Sequence, residues 1–205
     1  MTDEKASPRR RGRPRDARVD VAVREAARSL LVEVGYANAT MQEIATRANV
    51  GLPTIYRRWP SKAELIEYAV FTSAQRRVVD PDGDFFVELR AFVRGVIRVL
   101  CDPVTRAALP GLFQDIQGDR AVRSRYNAAL APSMAPFGEL VANATAAGVV
   151  AEDITAHEIQ LVVVGAAMAS TLSPDGLSRA ALEKSVYKVV SRAVAPVALV
   201  SRDGG

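Results

Sequence analysis

Apolar residues recur along most of this chain at intervals of three and four, the period that places successive side chains on one face of an α-helix. From Asp16 to Val34 the set Ala22, Ala26, Ala27, Leu30, Leu31 and Val34 lies opposite Arg24, Glu25, Arg28 and Glu33, and Gly35 supplies a stop. Thr40-Met41-Gln42-Glu43 has the form of a capping box, in which the threonine hydroxyl accepts an orphan backbone N–H and the glutamate reaches back to the cap. A short second helix follows with Ile44, Ala45 and Ala48 inward. Asn49-Val50-Gly51 breaks it, because asparagine and glycine tolerate the left-handed backbone of a tight turn. Pro53, which has no N–H to satisfy, suits the first position of a third helix that turns Ile55 and Trp59 inward. Ser61-Lys62-Ala63-Glu64 is a second capping box and opens a fourth helix through Leu65, Ile66, Ala69 and Val70.

Asp80-Pro81-Asp82-Gly83-Asp84 is a loop by composition and marks a domain boundary. Beyond it the period stays helical over Phe85 to Leu100, Arg106 to Gln117, Arg120 to Ala147, Thr155 to Leu172 and Ser178 to Val194. The valine runs 162–164 and 149–150 are too short to argue for strands. The expectation is an all-α chain: a basic arm over 1–15, a helix-turn-helix domain over 16–60, a connecting helix over 61–79, and a larger helical bundle over 80–205.

The 205 residues are 49% hydrophobic, yet no apolar stretch approaches the 20 or so residues that a membrane-spanning helix needs. The polar segment after Arg9 to Arg11 lacks the apolar core of a secretory signal, so a cytoplasmic protein without membrane contact is expected. A single cysteine, Cys101, and a single histidine, His157, argue against a disulfide, a metal site and a cofactor. The net charge of +4 is unevenly placed. The first 62 residues hold thirteen basic side chains against seven acidic ones, and the remainder is slightly acidic. That asymmetry points one end of the chain at a polyanion.

Two short helices joined by a three-residue turn, the second exposing Thr54, Tyr56, Arg57 and Arg58, make a helix-turn-helix whose second member can enter the major groove of DNA. Leu52 and Pro53 open that helix and belong to the same DNA-facing set. Tyr56 is out of phase with Ile55 and Trp59 and is expected to reach a phosphate, whereas Trp59 is read as core. Gln42 is a candidate for an adenine edge. Lys62 in the first turn of a helix opposes the helix dipole unless an anion sits there, so a phosphate is expected between its ammonium and the backbone N–H groups of that turn. In the arm, Arg11, Arg13 and Arg15 in Arg-Gly-Arg-Pro-Arg suit either insertion into a narrow, strongly negative minor groove or nonspecific attraction to phosphate.

Thr40-Met41-Gln42-Glu43-Ile44-Ala45, Asn49-Val50-Gly51 and Thr54-Ile55-Tyr56-Arg57-Arg58-Trp59-Pro60-Ser61-Lys62-Ala63-Glu64-Leu65 together resemble the tetracycline-repressor (TetR/AcrR) family of bacterial regulators over roughly residues 17–68. The resemblance implies a three-helix, homeodomain-like DNA-binding head, a larger C-terminal domain that binds a small molecule, and a homodimer on a pseudo-palindromic operator of double-stranded DNA. It places the family's recognition-helix tyrosine on Tyr56, its phosphate-holding lysine on Lys62 and its capping threonine on Thr40. The chain departs from the family's usual pattern at Asn49, Leu52-Pro53 and Arg58-Trp59.

In the C-terminal part, apolar residues are numerous enough for a core and a pocket, and periodicity does not separate the two. Phe92, Val96, Leu112, Phe113, Tyr126, Leu130 and Met134 are the candidates for a ligand pocket. Leu161, Gly165 and Ala169, four apart, would let another helix approach closely, and with Val186 and Val190 they are the candidates for a dimer interface; an intramolecular core helix is the alternative. The chain shows no phosphate-binding glycine loop, metal cluster or nucleophile elbow, and it is not expected to be an enzyme. The expected function is sequence-specific transcriptional regulation, with repression relieved by a small-molecule effector; a ligand-independent architectural DNA-binding protein is the competing reading.

Overall fold

The computed structural model describes residues 17–71, 79–171 and 177–196. Arg11, Arg13 and Arg15 lie outside them, as does the end of the expected connecting helix. Among the described residues there are nine helices: α1 Ala17–Asn38, α2 Met41–Arg47, α3 Leu52–Arg58, α4 Lys62–Phe71, α5 Phe85–Leu100, α6 Pro103–Gly118, α7 Arg120–Ala146, α8 Ala156–Ser170 and α9 Arg179–Ala193.

Local chemistry explains most of their ends. Asp84, Asp102, Thr155 and Ser178 each accept a backbone N–H from the first turn of the helix that follows, and Thr155 forms a full capping box with Glu158. Gly35, at φ 73°, breaks α1 near its end in a conformation that costs glycine little. The buried face of α1 is Val23, Ala26, Ala27, Leu30 and Leu31. Val34, expected on that face, is instead exposed.

Two apolar clusters organise the chain. One joins α1 to α4 and includes Leu31, Ile44, Ile55, Trp59, Leu65 and Ile66. The other joins α5, α7, α8 and α9 around Leu89, Ile97, Phe137, Leu140, Val163 and Val186. Packing also crosses the loop at 80–84: Val104, Ala108 and Leu112 of α6 are buried in the first cluster, against α1 and α4. Asp102, the cap of α6, accepts from Arg28 of α1 at 3.4 Å, and Arg28 also donates to the Ala69 carbonyl of α4 at 3.2 Å. No described helix is long and apolar enough to cross a membrane.

Candidate nucleic-acid interface

The first observation is how firmly α2 and α3 are set. Thr40 Oγ1 accepts from the Glu43 N–H at 3.1 Å, and the Glu43 carboxylate accepts from the Thr40 N–H at 3.2 Å, completing the cap that starts α2. The Thr40 hydroxyl also donates to the Glu43 carboxylate at 2.9 Å, and this bond, with that of the Thr40 N–H, holds the Glu43 carboxyl below the usual carboxylate range. The turn is made by Asn49, whose φ is 52°, while Gly51 is extended and caps α3. Leu52 is therefore the first residue of α3 and Pro53 the second, one place later than the sequence suggests. Ile55 and Trp59 point into the cluster, and the Trp59 ring meets Tyr68 of α4 at 5.0 Å between centroids.

The opposite side of α3 faces outward. Tyr56 is 48% exposed, Arg57 and Pro53 are exposed, and Leu52 and Thr54 are partly so. Gln42 and Thr40 are exposed at the start of α2. A phenol and a guanidinium standing free on a short, well-anchored helix are groups that hydrogen-bond phosphates and base edges.

Two expectations for basic residues need correcting. Arg58 does not stand free with Arg57: its guanidinium donates to the Asp20 carboxylate of α1, and its side chain keeps only 10% of its surface exposed. The rotation per residue carries position 58 back toward α1, where a carboxylate waits. Lys62 also has local partners that the dipole argument omitted. Its ammonium donates to the Ala37 carbonyl at 3.1 Å and lies 4.4 Å from the centre of the Tyr36 ring. The Ala37 carbonyl, near the C-terminal end of α1, offsets the dipole penalty at the start of α4, so that penalty alone does not demand a phosphate. Burial lowers the Lys62 pKa, opposed by the charge of Asp115.

An ion pair also ties α2 to α1. Arg47 donates to Glu33 at 2.6 Å and to Ser29 at 2.9 Å, the Ser29 hydroxyl donates to Glu33 at 2.6 Å, and the two bonds to Glu33 bring its pKa from 4.5 to about 2. The sequence places Glu33 on the polar face of α1 but shows no partner for it, nor for Asp20 or Ser29; their partners lie 14 to 38 residues away, beyond the reach of any local pattern.

The residues proposed for a pocket fall in different places. Phe92 stacks on Phe137 inside the second cluster, with ring centroids 3.8 Å apart, and Val96 and Met134 pack against the same cluster. Leu112 belongs to the first cluster, under the head. Tyr126 meets Phe71 edge-on at 5.8 Å, and Phe113 and Leu130 are partly buried. An open cleft of about 440 Å³ between α6, α8 and α9 is lined by Cys101, Arg106, Ser170, Arg179 and Glu183, among others, and by none of those seven. Of the interface residues, Leu161, Gly165 and Ala169 form an exposed stripe on α8. Val186 and Val190 do not join it: they are buried in the chain's own core, and Val189, 61% exposed, is the apolar residue that α9 presents outward.

The sequence model for bacterial regulatory proteins of the tetR family matches residues 23–69, and the model for the tetracyclin repressor-like C-terminal domain matches residues 79–189. The chain belongs to the tetR family. It is 29% identical over 148 residues to the DNA-binding transcriptional repressor TetR of Mycobacteroides abscessus, which covers 70% of this chain and 75% of that one. It is 41% identical over 73 residues to the HTH-type transcriptional regulator YdeS of Bacillus subtilis. That match covers 36% of this chain and spans only 37% of YdeS. Among solved structures, the TetR family transcription regulator SCO0332 superposes with a TM-score of 0.63 at 26% identity, covering 87% of this chain and 99% of that one. The tetR-family head matched by sequence is the three-helix unit whose α2 and α3 are described above, and the matched C-terminal domain begins at Val79, just before the loop at 80–84.

Proposed function

We propose that this tetR-family chain is a cytoplasmic transcriptional regulator that binds a pseudo-palindromic operator as a homodimer and leaves it when a small molecule occupies the C-terminal domain. The observation that carries this reading is α3, anchored by Ile55 and Trp59 and offering Tyr56 and Arg57 outward. Thr54, Tyr56 and Arg57 read or grip the major groove, Gln42 reaches a base edge from α2, and Leu52, Pro53 and Thr40 fit the backbone beside it. Lys62 takes a phosphate. Arg11, Arg13 and Arg15 are proposed to follow the adjacent minor groove, where narrow, A·T-rich sequence concentrates negative potential.

The second subunit is proposed to cover the outward stripe of Leu161, Gly165 and Ala169, with Val162 and Val189 beside it. Small residues there permit close helix approach, and the stripe is apolar although it faces solvent in the single chain. The effector is proposed to enter among Phe92, Val96, Phe113, Tyr126, Leu130 and Met134. Its support is the match of residues 79–189 to the repressor-like C-terminal domain. Two heads must sit about 34 to 36 Å apart to meet successive major grooves, so a small pivot is enough to release DNA.

Selection of bound sequences from a random duplex library tests the reading. The expected outcome is a two-fold symmetric motif with half-sites about one helical turn, or a multiple of it, apart. Enrichment of A·T-rich sequence without a motif would favour the architectural alternative.

A further inference from the structure

Lys62 is steered from outside its own helix. Its ammonium is bracketed by the Ala37 carbonyl at 3.1 Å and by the Tyr36 ring, whose centre lies 4.4 Å away. The ring is itself fixed. The Tyr36 hydroxyl donates to the Asp115 carboxylate of α6, and the ring lies against the bare backbone of Gly111, where a Cβ would overlap its carbon atoms. Four residues from three helices thus form one chain of contacts: Gly111 and Asp115 on α6, Tyr36 on α1, and Lys62 at the start of α4.

The geometry points to Tyr36 and Asp115 as positioning residues for the phosphate contact of Lys62, an inference that rests on the reading of Lys62 given above. A lysine has four rotatable side-chain bonds, and immobilising it on DNA costs affinity unless the free protein has already narrowed its choices. The Ala37 carbonyl uses one of three ammonium donors and leaves two for a phosphate. A phenol that donates to a carboxylate holds its ring in one orientation and enriches its face in electron density, which favours a cation above it. Burial lowers the Lys62 pKa, and the Asp115 charge partly opposes this, toward the ammonium form. Because Gly111 and Asp115 belong to α6, the grip on one phosphate is set from outside the three-helix head.

A bond that merely joined α1 to α6 would change stability and leave the number of phosphate contacts alone. Salt dependence separates the two. Binding of the full chain to a fixed duplex from the DNA upstream of its own gene is titrated at several salt concentrations for the native protein and for Lys62→Ala, Tyr36→Phe, Asp115→Ala, Asp115→Asn and the double variant Lys62→Ala/Tyr36→Phe. Far-UV circular dichroism confirms that each is folded. Lys62→Ala is expected to reduce the slope of log affinity against log salt by about one. Tyr36→Phe and Asp115→Ala are each expected to weaken binding about three- to tenfold and to reduce the slope in the same direction. Asp115→Asn, whose amide oxygen still accepts from the phenol, keeps most of the affinity. Tyr36→Phe adds nothing once Lys62 is alanine. Unchanged affinity and slope in Tyr36→Phe and Asp115→Ala, or an equal loss with and without Lys62, overturns the positioning role while the phosphate contact stands. No effect of Lys62→Ala overturns both.

Discussion

Arg58 donates its guanidinium to the Asp20 carboxylate, joining the last residue of α3 to the first turns of α1. The recognition helix is only seven residues long, so its orientation depends on such ties and on Ile55 and Trp59 beneath it. The two side chains keep only 10% and 24% of their surface exposed, so breaking the pair costs about 1 to 3 kcal/mol. Arg58→Ala and Asp20→Ala should each lower the urea midpoint, and the double variant should lose less than the two losses combined. Arg58→Ala should also leave the salt slope of DNA binding unchanged, unlike Lys62→Ala; a slope reduced by one would return Arg58 to the phosphate contacts.

Gly111 gives a prediction of unusual sign. Replacing a helical glycine by alanine ordinarily stabilises by up to about 1 kcal/mol. Here the new methyl group would overlap the Tyr36 ring, so Gly111→Ala should destabilise the fold, by about 1 to 3 kcal/mol. Denaturant unfolding measures it, and a more stable variant would contradict the packing of α6 on α1.

Asn49 holds the turn between α2 and α3 at φ 52°. Alanine pays roughly 1 to 2 kcal/mol in that left-handed region and glycine does not. Asn49→Ala should therefore lower the melting temperature while Asn49→Gly leaves it close to native. Equal losses would mean that the asparagine side chain, and not the backbone angle, matters there.

Glu33 sets a pH window. Its pKa is about 2 in the folded chain against an ordinary 4.5, because Arg47 and Ser29 donate to it. A depressed pKa contributes stability above pH 4.5 that is lost as the pH falls toward 2. Urea unfolding over that range should show a shallower decline for Glu33→Gln than for the native chain. Identical declines would show that the surface network is too well solvated to matter.

How far the sequence foretold this molecule depends on the range over which each signal acts. The span of α5 over Phe85–Leu100, the box at Thr40 and the start of α8 at Thr155 were legible, or nearly so, because a helix start is decided within four residues. Tyr56 and Arg57 facing outward followed from their phase against Ile55 and Trp59. Arg58 did not, since only the fold brings Asp20 to it. Leu112 shows the same limit: its apolar period marks a buried face of α6 but is silent on which neighbours cover that face, and they are α1 and α4. Val186 and Val190 form an inner face and not the expected outer one, because the apolar period of α9 marks a buried side without saying whether the chain's own core or a second subunit covers it.

Sequence-specific binding of DNA through α3 is measured by fluorescence anisotropy. The full chain is titrated against DNA from upstream of its own gene and against a scrambled duplex of the same composition, at several salt concentrations. The account predicts a preference of about a thousandfold or more at physiological salt, lost in Tyr56→Ala with the fold intact. Weak, salt-steep and equal binding to both duplexes, unchanged in Tyr56→Ala, would contradict it.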